Sequence, residues 1–442
     1  MTHNQRVPLG SILLYSSPAL GVGFSFFLIT TYFMKYGTDV LLIAPATLSL
    51  MFAAARIWDA VTDPVVGYLS DRTVSRLGRR RFWILLSAIP LALSFYMLWN
   101  PSAELSSTQL SIWVGASVIA YYTAYSLFYV PHEAWGAELS LDHHDRTRVF
   151  GIKHAVSTIG SFLALGALYL FSVSDNPRET ALVISLGVAV FMMISVVPPV
   201  LKLPERPEYQ QRGENSIFKA FGDVFRNPHA RLVVTVFFIE NLGTAVIATL
   251  SAYVLEYIVK RPDLLPWFFL LYVLPAVITV PLWIWLSRLI GKKQLWCASM
   301  FAMSLGFGGL FFAREGDHIL VFILAAIAGM GGGCGNVVGP SIQADIIDYD
   351  EWQTGQRKEG AYFAVWNFVR KAAFGIMIVI TGLVLQYSGF EPNVEQAEST
   401  KMAMSSLFGL FPGACYLIGA TLFLRFNLDE RAWRSIRDTM RG

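Results

Sequence analysis

The chain has 442 residues, of which 55% are hydrophobic, 14% aromatic and only 15% charged, with a formal net charge of +3. Soluble domains carry about 25% charged residues, so an ordinary soluble protein is excluded and lipid is the solvent for most of this chain. The small net charge, scattered in short basic clusters between apolar stretches, excludes an electrostatic nucleic-acid partner.

The polar start, Met1 to Pro8, leads into an apolar stretch too long for a removable leader and without a small-residue cleavage site, so the first span is expected to stay. A helix needs about 20 apolar residues to cross a hydrocarbon core of about 30 Å, and twelve such stretches can be placed. The first six cover 10–36, 43–70, 82–100, 108–138, 149–173 and 179–201. The second six cover 231–258, 264–290, 294–313, 318–347, 360–388 and 402–426. Between the sets, 202–230 is polar, carries Pro204, Pro207 and the run Glu205-Arg206-Pro207-Glu208, and reads as a cytoplasmic linker. The expected architecture is an all-α membrane protein of two six-helix bundles, 1–201 and 231–426, with a tail at 427–442.

Span two carries Arg56, Asp59, Thr62 and Asp63 in its interior. Each charge costs at least about 2.5–3.5 kcal/mol at a helix centre on insertion scales. Asp59 and Asp63 are four apart, so they share one face about 6 Å apart along the axis. Two carboxylates that close need a shared cation, a proton or a basic partner, and with Thr62 beside them a small hard cation such as sodium finds several oxygens. Arg370-Lys371 in span eleven offers the basic partner, Lys371 competing with the cation. The plainer alternative is a buried salt-bridge network of Arg56, the two aspartates and Lys371, although such networks stabilise poorly.

After span two, Asp71-Arg72 and Gly78-Arg79-Arg80-Arg81 make a positive-inside anchor. Salt bridges there would also hold an inward gate closed and break when it opens. The gating candidates are Arg56, Asp71, Arg72, Arg79, Glu138, Arg146 and Asp345. Span four ends in Tyr129-Val130-Pro131-His132-Glu133, where the proline is expected to interrupt the helix and free backbone groups to meet a substrate. With Tyr121, Tyr122 and Tyr125 it predicts a cavity wall of hydroxyls and a carboxylate; the alternative is a simple kink with Glu133 paired to Lys153 or His154. Glu240-Asn241 in span seven, Asn336 in span ten and Trp366 in span eleven would complete that cavity. Gly331-Gly332-Gly333 read as close-packing or hinge positions, since no strand precedes them as a phosphate loop requires.

Ser75-Arg76-Leu77-Gly78-Arg79-Arg80 recurs as Ser287-Arg288-Leu289-Ile290-Gly291-Lys292-Lys293, and Ala137-Glu138 recurs as Ala344-Asp345 at nearly the same offset. A six-helix unit duplicated in parallel would do this. Lys and Arg gather in the loops that are inner if both termini are cytoplasmic. These are 72–81, Arg146 and Arg148, the linker's Lys202, Arg206, Arg212, Lys219 and Arg226, then Arg288 with Lys292 and Lys293. Arg357, Lys358, Arg425, Arg431, Arg434, Arg437 and Arg441 continue the inner set, while the outer loops hold little beyond Arg178, Lys260, Arg261, Arg314 and Lys401. Cys297, Cys334 and Cys415 lie apart in apolar segments and read as packing residues. No paired-histidine metal helix and no serine elbow supports an enzyme.

Arg56-Ile57-Trp58-Asp59 with Asp63-Pro64, Gly67, Ser70-Asp71-Arg72 and Gly78-Arg79-Arg80-Arg81 resembles the glycoside-pentoside-hexuronide cation symporter family of the major facilitator superfamily. Pro131 with Gly136-Ala137-Glu138-Leu139, Asp145-Arg146-Thr147, and Ala344-Asp345 through Tyr349 to Lys358-Glu359-Gly360 and Lys371 are similar to its later signatures. The resemblance covers essentially the whole chain and implies a major facilitator fold in the inner membrane. It implies that Asp59 and Asp63 bind the coupling sodium, lithium or proton, with Thr62 and Ser126 as neighbouring oxygens and Lys371 nearby. Thr62 stands where the family's galactoside carrier has asparagine. The positions that hold sugar there correspond to Gly23, Tyr129, Glu133, His154 and Asn336, so an acidic sugar ligand in span one is absent and a different polar solute is implied.

The expected function is therefore cation-coupled symport of a small polar solute, a sugar, glycoside or sugar acid, with a sodium-coupled lysolipid carrier as the alternative. A monomer in the lipid bilayer is expected, with no cofactor beyond the coupling sodium or proton and no nucleic acid.

Overall fold

The structure, a computed structural model, describes residues 6–139, 143–205, 222, 224–355 and 359–428. Arg206, Arg212, Lys219, Arg357, Lys358, Arg431, Arg434, Arg437 and Arg441 lie outside them, and the side chains of Arg146 and Arg288 are likewise not described. The chain divides into two compact units, Met1–Glu214 and Asn215–Gly442.

The first unit contains α1 (Leu9–Leu28), α2 (Pro45–Arg72), α3 (Arg79–Trp99), α4 (Ser107–Glu138), α5 (His143–Val173) and α6 (Pro177–Lys202). Starts are set by local chemistry. Ser106 and Gln109 form a reciprocal capping box at α4, and Asn176 caps α6 with Pro177 in its first turn. The second unit contains α7 (Pro228–Tyr257), α8 (Leu265–Ile278), α9 (Val280–Ile290), α10 (Lys292–Gly309), α11 (His318–Thr354), α12 (Glu359–Tyr387), α13 (Glu398–Ser405) and α14 (Phe411–Phe423). A π turn, Ser406–Leu410, joins α13 to α14 into one span.

Among the described residues ten helices are long and apolar enough to cross a membrane, eleven when α8 and α9 are taken as one broken span. These two meet at 41°, between Pro275 and Pro281, each of which lacks the N–H that would continue the helix ladder. Thr279 at the break returns its hydroxyl to the Pro275 carbonyl at 2.7 Å. The expected interruption in span four is not found: α4 runs continuously through Pro131. One missing backbone bond is tolerated there, as it is at Pro18, Pro90 and Pro340 inside other helices.

α2 is long enough to span, since 28 residues rise about 42 Å, but its charges keep it out of the apolar set. Its pattern is inverted relative to a soluble helix. Ile57, Val61, Val65 and Tyr68 form an exposed apolar stripe, while Arg56, Asp59 and Thr62 are buried. That is the arrangement of a helix with lipid outside and polar groups inside.

The two units repeat one set of helix pairings. In the first, α1 packs on α5 and α6, α3 on α4 and α6, and α2 on α4. In the second, α7 packs on α12 and α14, α10 on α11 and α14, and α8 on α11. The glycines of span ten are close-packing positions. A Cβ at Gly329 or Gly333 would meet the backbone oxygens of Tyr272 and Ala276 on α8 at 2.0 and 2.3 Å, and one at Gly331 would meet Met303 on α10.

Candidate functional site

The span-two carboxylates converge on α4. Ser126 Oγ, fully buried, lies 3.0 Å from Asp59 Oδ1 and 2.7 Å from Asp63 Oδ1. Thr62 Oγ1 is 3.2 Å from Ser126 Oγ and 3.3 Å from the Asp59 carbonyl. Spacing on α2 makes this possible: Asp59, Thr62 and Asp63 are i, i+3 and i+4, so all three reach one point on the neighbouring helix. Four oxygen–oxygen contacts share two hydroxyl protons. Such a cluster suits a proton on one carboxyl or a small cation held by oxygens. Among the described residues no group of three or more His, Cys, Asp or Glu could hold a metal, so any ion here relies on hydroxyls as well as carboxylates.

Arg56 sits one turn before Asp59, its guanidinium 4.5 Å from the centre of the Tyr122 ring and 5.7 Å from that of Phe26. It belongs to this polar interior and not to the arginine–carboxylate cluster at the turn between α2 and α3. Further along α4, Tyr125 and Tyr129 stack with centroids 5.2 Å apart. Lys153 of α5 lies 5.3 Å over the Tyr129 ring and ion-pairs with Glu133. Of the two alternatives for Glu133, pairing with Lys153 is the one observed. His132 instead faces α1, stacking on Tyr15 at 4.3 Å and meeting its backbone oxygen at 3.0 Å. His154 is exposed. Gly23 is no ligand position: a Cβ there would stand 2.1 Å from the Ser157 backbone oxygen, so α5 fills the place of the missing acid.

At the turn between α2 and α3, Arg79 donates to Glu138 Oε1 at 2.6 Å, with Glu205 at 3.6 Å and Asp71 at 3.8 Å. Arg80 pairs with Asp71 and donates to Ser70 Oγ, and its backbone N–H reaches Glu205 at 3.0 Å. Gly78, with φ +106°, makes the turn into α3. Arg72 does not join this network; it stays on its own helix, donating to Tyr68. The second unit has a matching contact: Gly291, φ +82°, precedes α10, and Lys292 Nζ lies 2.6 Å from Asp345.

Lys371 is half-buried on α12. Asn336 is exposed, and Trp366 is buried with no partner for its indole N–H among the described residues. Glu240 is buried on α7. The three cysteines are buried and free, in keeping with packing roles.

With this geometry in place, the chain matches the family described as MFS/sugar transport protein over residues 14–430. It belongs to that family. The symporter is 26% identical to the isoprimeverose transporter of Lactiplantibacillus pentosus, over 97% of this chain and 90% of that one. It is 23% identical to the sodium-dependent lysophosphatidylcholine symporter 1 of Xenopus tropicalis, over 89% and 82%. The solved structure of a bacterial homolog to the human lysosomal transporter Spinster shares the fold, with a TM-score of 0.70 at 13% identity over 95% of this chain and 98% of that one. The symporter is thus a multi-pass integral membrane protein of the cell membrane with the major facilitator fold, and its family and solved neighbours are transporters, not enzymes.

Sequence reasoning left three groups of this symporter unassigned. Lys153 entered only as one possible neighbour of Glu133, although a lysine inside a span carries the same cost that singled out Lys371. Glu205 looked like linker charge, yet it caps the start of α3 through Arg80 and Arg81. Trp296, buried on α10, lies in an ordinary apolar run and carries no signal of its own.

Proposed function

We propose that this symporter carries a small polar solute, a sugar, glycoside or sugar acid, inward with sodium or a proton by alternating access. The reading rests on the Asp59, Asp63, Ser126 and Thr62 cluster, in which two carboxylates meet one hydroxyl inside a helix pair. The cation neutralises Asp59 and Asp63 and frees Lys371, and the solute then orders against the aromatic wall of Tyr125 and Tyr129 with Glu133 and its Lys153 partner. His154, Asn336 and Trp366 complete the polar lining. The proposed topology has twelve spans with α2 among them, both termini cytoplasmic, bundles at 1–201 and 231–426, a cytoplasmic loop at 202–230 and a tail at 427–442. The α2 stripe supports its inclusion, because the charges face protein and the apolar side chains face outward. Arg79, Glu138 and Asp71, with Lys292 and Asp345 in the other unit, act as inner gate contacts that break and reform in the cycle, in a monomer that uses no cofactor.

A lysolipid cargo is the second reading, favoured by the lysophosphatidylcholine symporter among the relatives and by the absence of an acid at Gly23. A thermal-shift screen of isoprimeverose, uronates and lysolipids, each with and without sodium, decides between them. A shift with a sugar-type solute that grows with sodium or with falling pH supports the first reading. A shift confined to lysolipids replaces it with the second.

A further inference from the structure

Arg56 lies near the middle of α2 and is 9% exposed. What surrounds its guanidinium is aromatic: Tyr122 of α4 at 4.5 Å and Phe26 of α1 at 5.7 Å, measured to the ring centres. Among the described residues Arg56 has no ion pair and no hydrogen bond, and its Nε is buried without a partner. The other buried cations described in this unit each meet a carboxylate: Lys35 has Asp39 at 2.6 Å, Arg79 has Glu138 at 2.6 Å, and Arg80 has Asp71. Lys153, less deeply buried, has Glu133.

Ring faces attract a cation, but they do not satisfy the planar fork of N–H donors, whose match is a carboxylate or similar oxygen group. A guanidinium does not shed its charge as a buried lysine can, so its burial calls for a counter-charge. Asp59 follows one turn later on α2, yet its Oδ1 accepts from Ser126 on α4 at 3.0 Å. It is also one of the two carboxylates that the proposed coupling cation neutralises. Filling the cation site therefore takes away the acid nearest to Arg56 on its own helix.

The rings beside Arg56 continue into the proposed solute wall. Phe26, 37% exposed, lies 6.2 Å from Tyr125, which stacks on Tyr129 at 5.2 Å, and Lys153 closes the row 5.3 Å over Tyr129. At one end of this row stands a cation with its acid in place, and at the other a cation with none.

We propose that Arg56 binds the anionic group of the carried solute, the carboxylate or sulfonate of a sugar acid. The sugar ring lies along Phe26, Tyr125 and Tyr129, and its hydroxyls point toward the Lys153 and Glu133 pair. Arg56 is then the residue that selects an acid over a neutral sugar. Neutralising Asp59 strengthens this contact, and by linkage the bound anion strengthens cation binding by the same factor. The inference rests on the sugar-type cargo proposed above and names its class.

Equilibrium binding of glucuronate and galacturonate to the purified protein tests it, each set against its uncharged amide, with and without sodium and at two pH values. In the wild type the acid should bind about tenfold or more tighter than the amide. Arg56→Gln should bring the acid down to the affinity of the amide and leave amide binding in place. Arg56→Lys, which keeps the charge and loses the fork, should fall between them, and it carries the test if Arg56→Gln does not fold. An acid preference at wild-type strength in the variant that folds overturns the proposal, and so does a wild type that binds the amide as tightly as the acid. Binding of neither overturns it together with the sugar-type reading. An acid preference that Arg56→Gln abolishes, but that is indifferent to sodium, to pH and to Asp59→Asn, upholds Arg56 and removes the coupling reading, so the two fail separately.

Discussion

Ser126 has one hydroxyl proton and two carboxylates within reach. Replacing it with alanine removes the donor that both aspartates share. A hydrogen bond to a charged group is worth about 1.5–3 kcal/mol, so Ser126→Ala should weaken cation affinity by about tenfold to a hundredfold, measured as the sodium or proton concentration at half-maximal uptake. Gly23 makes the opposite kind of prediction, one of space. Its missing side chain lets α1 touch the Ser157 backbone, and Gly23→Ala should lower stability by about 1–3 kcal/mol in thermal unfolding. Gly67→Ala is the control, because a Cβ there would meet only Val130 Cγ1 at an ordinary 3.6 Å, and its melting temperature should stay near that of the wild type.

The repeated clamp separates burial from charge at the scale of elements. The Arg79 side chain is 4% exposed, among Glu138, Glu205 and Asp71, while that of Lys292 is 36% exposed with Asp345. Breaking a buried pair by removing one partner costs about 3–5 kcal/mol, whereas a pair that is partly open to water is screened and worth less. Arg79→Ala should therefore unfold at clearly lower temperature than Lys292→Ala, although the two occupy matching places in the repeat. In the loops after α7, α10 and α12, Lys260 bridges Glu315 and Glu395, and Lys401 reaches Glu395 at 2.6 Å. Hydrogen bonds from Lys401 and then Lys260 hold the Glu395 carboxyl below the usual range. Its contribution is present above the ordinary glutamate value, about 4.3, and is lost as pH falls through the lowered value. Acidification through that lowered value should thus remove the difference in melting temperature between wild type and Glu395→Gln. Elements also show where sequence patterns mislead. Pro131 marks no break because one lost backbone bond is absorbed by a long helix, while two prolines six apart, Pro275 and Pro281, bend span eight.

For the whole molecule, the helical fold was readable because lipid demands about 20 apolar residues per span, and the charges that violate that demand were few enough to name. The site was readable only in part. Asp59, Thr62 and Asp63 share a helix face by spacing alone, but Ser126 came from family resemblance, since nothing in a tyrosine-rich run singles out one serine. Gly23 looked like a lost ligand because sequence shows which residue is absent and not what fills its place. The same helix pairings in both units make each half a complete packing unit, and the asymmetry between them lies in their polar interiors: carboxylates with hydroxyls in the first, the single buried Glu240 on α7 in the second.

The central claim is that Asp59 and Asp63 couple a cation to solute movement, and accumulation in proteoliposomes tests it most directly. Uptake of the solute found by the thermal-shift screen is measured under an inward sodium gradient and, separately, an inward proton gradient, alongside exchange at equal concentrations. The wild type should concentrate solute under one of the gradients, and Asp59→Asn and Asp63→Asn should lose concentration while still exchanging. Concentrative uptake at the wild-type level in both variants would contradict the account.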